Sequence, residues 1–231
     1  MKTFLVYQLF ANVKSGVVMN FPDVPPTLEG ISDLINLLRG PNGCPWDKKQ
    51  TANSLTGHLI EECYELVEAI EKKDYNNINE EIGDVILNVV YQIIFLKEVL
   101  DIDEQSIIKD LYAKIKIRHP HVFSDINLKN ATEVEQNWDK IKDDSNVNSG
   151  NNKDIPKYLP SLSLALKLQK KMPSKDINHS YDLIDSLLSN KDSLNSESLG
   201  KLLFEIVSIA KIKNIDPEKS LRMHNNYINN N

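Results

Sequence analysis

From Leu28 onward the apolar residues of this chain recur every three or four positions, as in LEGISDLINLLRG, and the pattern persists almost to the end. A period near 3.6 places those residues on one side of a helix and is incompatible with the two-residue alternation of a half-buried strand. The chain is therefore expected to be all-α. The first helix stops at Gly40, and GPNGCPWD is a loop by its Gly and Pro content. Further helices are expected over about 54–72, 77–99 and 103–118. Pro120 ends the last of these at His119, because the residue before a proline is pushed out of helical backbone. A fifth helix carries TEVEQNWDKIK with Thr132 as its cap.

The polar run DDSNVNSGNNKDIP, residues 143–156, has no apolar period and reads as a linker. It separates residues 28–142 from a second helical module at 157–231, and residues 1–27 form an N-terminal extension. Laid ungapped with Tyr64 over Tyr181, YELVEAIEKKDYNNINEEIGD matches YDLIDSLLSNKDSLNSESLGK. Leu66 meets Leu183, Glu80 meets Glu197 and Gly83 meets Gly200, so the chain repeats a helical hairpin. Past a short gap, IDEQS and IDPEK open matching helices.

The first copy of the hairpin carries an acidic set that a helical core does not need. Residues three apart on a helix differ by about 60° around its axis, so Glu62 and Glu65 share one side, as do Glu81 and Asp84. Two helices joined by a short turn pack antiparallel, which brings the four carboxylates together with Glu61 at the margin. Left unpaired they repel or take up protons, and a hard divalent cation removes the conflict. All-oxygen ligation suits Mg²⁺, with Mn²⁺ as a substitute. A solvated acidic face is the simpler alternative. Against it, Ile82, Val85, Ile86, Leu87, Val89, Val90, Ile93, Ile94 and Phe95 nearly encircle their helix, and Glu81, Asp84, Asn88 and Gln92 are left as a narrow polar stripe that suits a cleft.

The net charge of −6 and the lack of a basic arm argue against nucleic acid as a partner. No stretch approaches the roughly 20 apolar residues of a membrane span. Cys44 and Cys63 have neither zinc-like nor scaffold spacing. Together these features lead to the expectation of a cytoplasmic protein with reduced thiols. GPNG lacks the Lys-Ser/Thr ending of a phosphate-cradling P-loop, Trp46 reads as a packing residue, Lys48 and Lys49 as solvated, and His119 and His121 as local capping or packing residues.

LRGPNGCPWDKKQT, LIEECYELVEAI, EEIGDVILNVV, RHPHVF and NWDKIK, in this order and spacing, closely resemble the MazG family of nucleoside triphosphate pyrophosphohydrolases. The resemblance runs from about Leu28 to Lys142 and continues more weakly into the second half of two-domain members. It implies an all-α module, usually a homodimer, that uses Mg²⁺ to split a nucleoside triphosphate into monophosphate and pyrophosphate. The family's EExxE falls on Glu61, Glu62 and Glu65, and its ExxD on Glu81 and Asp84. Lys114 and Arg118, then Trp138 and Lys142, match positions that bind phosphates or nucleotide. On this reading Glu62, Glu65, Glu81 and Asp84 hold metal, and Glu61 serves as base toward the attacking water. Two alternatives share these residues: a related hydrolase with a narrower substrate such as dUTP, and a catalytically silent helical dimer that binds nucleotide or protein. Residues 1–27 faintly resemble the stretch that precedes this module in fusions with tetrapyrrole methylase-like domains. In the second module, Asn178, His179, Asp182, Ser198 and Lys201 replace Glu61, Glu62, Glu65, Glu81 and Asp84, so a metal site is not expected there.

Overall fold

A computed structural model describes residues 24–148, 155–173, 176–189 and 194–229, with the side chains of 139 and 142–148 outside that description. Residues 1–23 of the N-terminal extension and 149–154 of the expected linker also lie outside it. The described residues are helical and contain no strand, in agreement with the all-α expectation. The chain divides into two compact units between Asp125 and Ile126.

In the first unit, α1 (Leu28–Arg39) leads through a 3-10 turn (Asp47–Lys49) to α2 (Thr56–Lys72), α3 (Tyr75–Leu100), α4 (Glu104–Arg118) and the short α5 (Pro120–Phe123). The starts follow local chemistry. Thr27, Asp74 and Asp103 cap α1, α3 and α4, their side chains accepting from the backbone N–H of Gly30, Asn77 and Ser106, each worth about 1 kcal/mol. Lys73 and Asp101 close α2 and α3 in the left-handed region at φ 57° and 55°. The loop after α1 returns on itself: Cys44 N–H donates to Leu38 O at 2.7 Å. A Cβ on Gly43 would lie 2.1 Å from Leu38 O, so only glycine passes there.

α2 and α3 form an antiparallel hairpin, and α1 packs on the C-terminal half of α3. Ile35, Leu55, Val90, Tyr91, Ile94 and Phe95 make the core, with Ile31 against it. Each such side chain contributes roughly 1.5–3 kcal/mol by leaving water. Arg39 ties the loop to this core. Its guanidinium stacks 4.6 Å from the Phe95 ring centroid, donates to Asp47 O and Gln50 O at 2.8 and 3.0 Å, and forks onto Glu98. Asp47 is buried and accepts a hydrogen bond from the Tyr91 hydroxyl. Trp46 is instead 53% exposed, which corrects the packing role expected for it: the turn sends the neighbouring aspartate inward and the indole outward.

The second unit contains α6 (Ala131–Asn148), α7 (Ser161–Lys171), α8 (Ile177–Ser189), α9 (Ser196–Ile212) and α10 (Pro217–Asn229). α6 is capped by Asn130, whose Oδ1 accepts from Glu133 N–H at 2.9 Å, and not by Thr132, which lies inside the helix. The helix continues through Asn148 into the stretch read as linker. α8 and α9 form a hairpin and α7 packs on α9 and α10. The sequence repeat is repeated in backbone detail. Asn214, the counterpart of Asp101, is left-handed at φ 54°, and Asp216 accepts from Lys219 N–H at 3.0 Å as Asp103 accepts from Ser106. α1 on α3 is matched by α7 on α9.

Candidate active site

The α2–α3 hairpin brings Glu62, Glu81 and Asp84 together, with one oxygen of each within 4.8 Å of the others and all three half-buried. Among the described residues it is the only such acidic group. The helical register explains it: Glu62 faces α3 one turn from Glu65, while Glu81 and Asp84 face back one turn apart. Partial burial, and then the neighbouring Asp84 charge, push the Glu62 carboxyl above its ordinary range. Glu81 is raised by burial and by Glu65, and Asp84 by burial and by Glu80, one turn back. Three carboxylates whose ionised forms are all disfavoured by burial and neighbouring carboxylates form an all-oxygen donor set that suits a cation.

Glu65 acts on both Glu62 and Glu81 electrostatically but stands outside the close triplet. Glu61 is exposed at the margin, its Oε2 3.8 Å from His58 Nδ1. His58 was not singled out from sequence, although its place one turn before Glu61 is the signal that finds it; it also carries Trp46 edge-on at 6.2 Å between ring centroids. The polar stripe of α3 does turn inward: Asn88 is buried, with Nδ2 donating to Asp84 O at 3.0 Å, and Gln92 reaches Ala52 O at 3.2 Å. The apolar residues around it are not all covered, however. Ile82, Ile86, Leu87 and Val89 remain 37–44% exposed, because α1 shields only the later turns of α3.

The triplet is built by α2 and α3 alone. Lys114 and Arg118 stand a turn apart on α4, Lys114 exposed and Arg118 half-buried. Trp138 and Lys142 fall on α6 of the other unit; Trp138 is half-buried and the Lys142 side chain lies outside the described residues. His119 behaves as the local cap expected, its Nδ1 2.7 Å from Ile115 O.

In the second unit the corresponding hairpin has lost the acidic set and satisfied its polar groups internally. Lys201, at the place of Asp84, pairs with Glu197 at 2.7 Å. Ser180 Oγ donates to Glu205 Oε2 at 2.8 Å, both buried.

Residues 50–123, the segment that spans the acidic triplet and α4, match the MazG nucleotide pyrophosphohydrolase domain. The chain is 36% identical over 206 residues to the Thermotoga maritima nucleoside triphosphate pyrophosphohydrolase/pyrophosphatase MazG, covering 84% of this chain and 79% of that protein. It belongs to the MazG family. The Escherichia coli K12 nucleoside triphosphate pyrophosphohydrolase is 30% identical over 217 residues, covering 86% of this chain and 82% of its own length. Bacillus subtilis YabN is 38% identical over 209 residues; that match takes in 83% of this chain but only 42% of YabN. The chain thus spans less than half of one relative and about four fifths of the other two. The Thermotoga maritima and Escherichia coli relatives are named nucleoside triphosphate pyrophosphohydrolases, and the acidic triplet lies within the matched segment. No helix among the described residues is long and apolar enough to cross a membrane.

Proposed function

We propose that this protein hydrolyses nucleoside triphosphates to monophosphate and pyrophosphate with a divalent cation, Mg²⁺ or in its place Mn²⁺, in a cytoplasmic homodimer. The observation that carries this reading is the half-buried Glu62, Glu81 and Asp84 triplet within 4.8 Å in a MazG family member. The donor set fits the ion: three hard carboxylate oxygens, each with its charged form disfavoured, suit Mg²⁺ better than soft or imidazole-bound metals. Glu62, Glu81 and Asp84 would hold it, with Glu65 one turn away as a fourth oxygen donor. When bound, the cation offsets the negative charge of the phosphate oxygens.

The remaining steps belong to the chain's own side chains. Water attacks the α-phosphorus in line and pyrophosphate departs. Glu61, exposed beside the triplet with His58 Nδ1 3.8 Å from its Oε2, takes the proton that the attacking water loses. Lys114 and Arg118 neutralise charge on the departing pyrophosphate, and Trp138 and Lys142 bind the nucleotide. Residues 28–142 form the catalytic module and 157–231 the module without catalysis. The test is a panel of ribo- and deoxynucleoside triphosphates, dUTP included, incubated with protein and Mg²⁺. Monophosphate and pyrophosphate from several bases support the general hydrolase. Turnover of dUTP alone assigns the narrower activity, and no turnover of any member leaves a silent nucleotide-binding dimer.

A further inference from the structure

Trp46 stands on the surface of the first unit although its neighbour does not. The indole is 53% exposed while the adjoining Asp47 is buried, the reverse of the order in which water sorts a large aromatic ring and a carboxylate. The loop is braced in that inversion. Arg39 donates to the carbonyl oxygens of Asp47 and Gln50 at 2.8 and 3.0 Å, the Tyr91 hydroxyl donates to the Asp47 carboxylate, and Gln50 Nε2 donates to the Trp46 carbonyl at 3.0 Å. An indole held out of the core by a fixed backbone is preorganised for a ligand with a flat π-face. Its position says which one. The His58 ring lies edge-on to it, with 6.2 Å between centroids and 71° between planes. His58 Nδ1 is 3.8 Å from Glu61 Oε2, and its charge also acts on Glu62, the triplet member one turn further along α2, about 6 Å along the axis. Two such steps, triplet to imidazole and imidazole to indole, are of the size of the phosphate and ribose that separate a base from the phosphorus under attack.

We infer that Trp46 is the platform on which the nucleotide base stacks, held beside the acidic triplet by His58. Stacking on an indole tolerates any base, because every base presents a π-face. The contact therefore demands a base without choosing one, and it favours purines only by their larger ring area. His58 is a positioning residue in this arrangement: it sets the indole's place relative to Glu61 and Glu62. The assignment rests on the hydrolase reading above, whose substrates are nucleotides, and is independent of Trp138, which stands in the other unit.

The test is steady-state hydrolysis of a purine and a pyrimidine nucleoside triphosphate by the full chain with Mg²⁺. Inorganic tripolyphosphate, which has the phosphates and no base, serves as a competitor. Trp46→Ala should raise KM roughly tenfold, more for the purine, with kcat held within about threefold and the inhibition constant of tripolyphosphate unchanged. Trp46→Phe, which keeps a ring, should recover most of the loss. Because the loop could lose its form without the indole, a second measurement leaves it in place. The chain has two tryptophans, and their indole N–H resonances are assigned with Trp46→Phe. A nucleoside monophosphate should shift the Trp46 resonance of the unaltered protein, and tripolyphosphate should not. An unchanged KM in Trp46→Ala, an equal loss of tripolyphosphate binding, or a Trp46 resonance that the monophosphate does not move overturns the platform while the hydrolase stands. An unaltered protein that turns over no nucleotide overturns the hydrolase reading and the platform with it.

Discussion

Replacing Asp84 by asparagine should stabilise the metal-free protein while removing its response to a divalent cation. The Asp84 carboxylate has oxygens of Glu62 and Glu81 within 4.8 Å, and Glu80 raises its pKa further. At that separation a pair of like charges costs about 0.9 kcal/mol in a water-like medium and about 3.5 kcal/mol at an effective dielectric of 20. All three groups remain partly in contact with solvent, so the screened end applies. Two relieved pairs then come to about 1–2 kcal/mol. For a unit on the order of 100 residues, 1 kcal/mol moves the melting temperature by about 4–8 °C. The amide keeps the shape of the side chain, and the bond that Asn88 makes is to the backbone oxygen of Asp84, so packing is not disturbed. Circular dichroism melts in chelator should therefore place Asp84→Asn above the parent by roughly 5–15 °C. Saturating Mg²⁺ should raise the parent and leave the variant nearly unmoved, and the variant should lose turnover. A variant that melts lower in chelator, or that gains as much from Mg²⁺ as the parent, would refute the reasoning.

Three further outcomes follow from the same structure. Tyr91→Phe leaves the buried Asp47 carboxylate without the hydroxyl that donates to it and should cost about 1–3 kcal/mol, read by denaturant unfolding; an unchanged midpoint would show that the loop is not held there. Because the folded state holds the protons of Glu62, Glu81 and Asp84 more tightly than the unfolded chain, the metal-free protein should lose stability as pH rises from the ordinary carboxylate range through their raised values, with no further loss above them. Melting temperatures in chelator from acid to neutral pH check this sign, and a rise across that window contradicts it. Asp182→Asn and Lys201→Ala, in the module that lacks the acidic set, should leave steady-state turnover within about twofold, since a surface ion pair of the Lys201–Glu197 kind is worth little.

Local chemistry made much of this architecture legible. The starts of α3 and α4 lie within two residues of the apolar pattern because Asp74 and Asp103 sit where a capping side chain is needed. Pro120 ends α4 at His119 for a reason confined to one peptide bond. The acidic triplet was readable because a helical register plus a short turn fixes which residues of a hairpin face each other. What escaped depends on competition between neighbouring caps and on contacts that are remote in sequence. Asn130 outcompetes Thr132 as cap because its side chain also reaches the Glu133 carboxylate. Whether Trp46 or Asp47 turns inward is decided by Tyr91, far along the chain. The exposure of Ile82, Ile86 and Val89 depends on how far α1 extends over α3, which no apolar period encodes. The same limit separates the triplet, built on one hairpin, from Lys114, Arg118, Trp138 and Lys142, whose roles rest on family resemblance.

Turnover in ¹⁸O-labelled water, with both products resolved by mass spectrometry, tests most directly the claim that the site on the α2–α3 hairpin directs water to the α-phosphorus. Monophosphate carrying the label, unlabelled pyrophosphate, and loss of both products in Glu62→Gln are expected. Labelled orthophosphate with a nucleoside diphosphate, label in the pyrophosphate, or undiminished turnover in Glu62→Gln would contradict it.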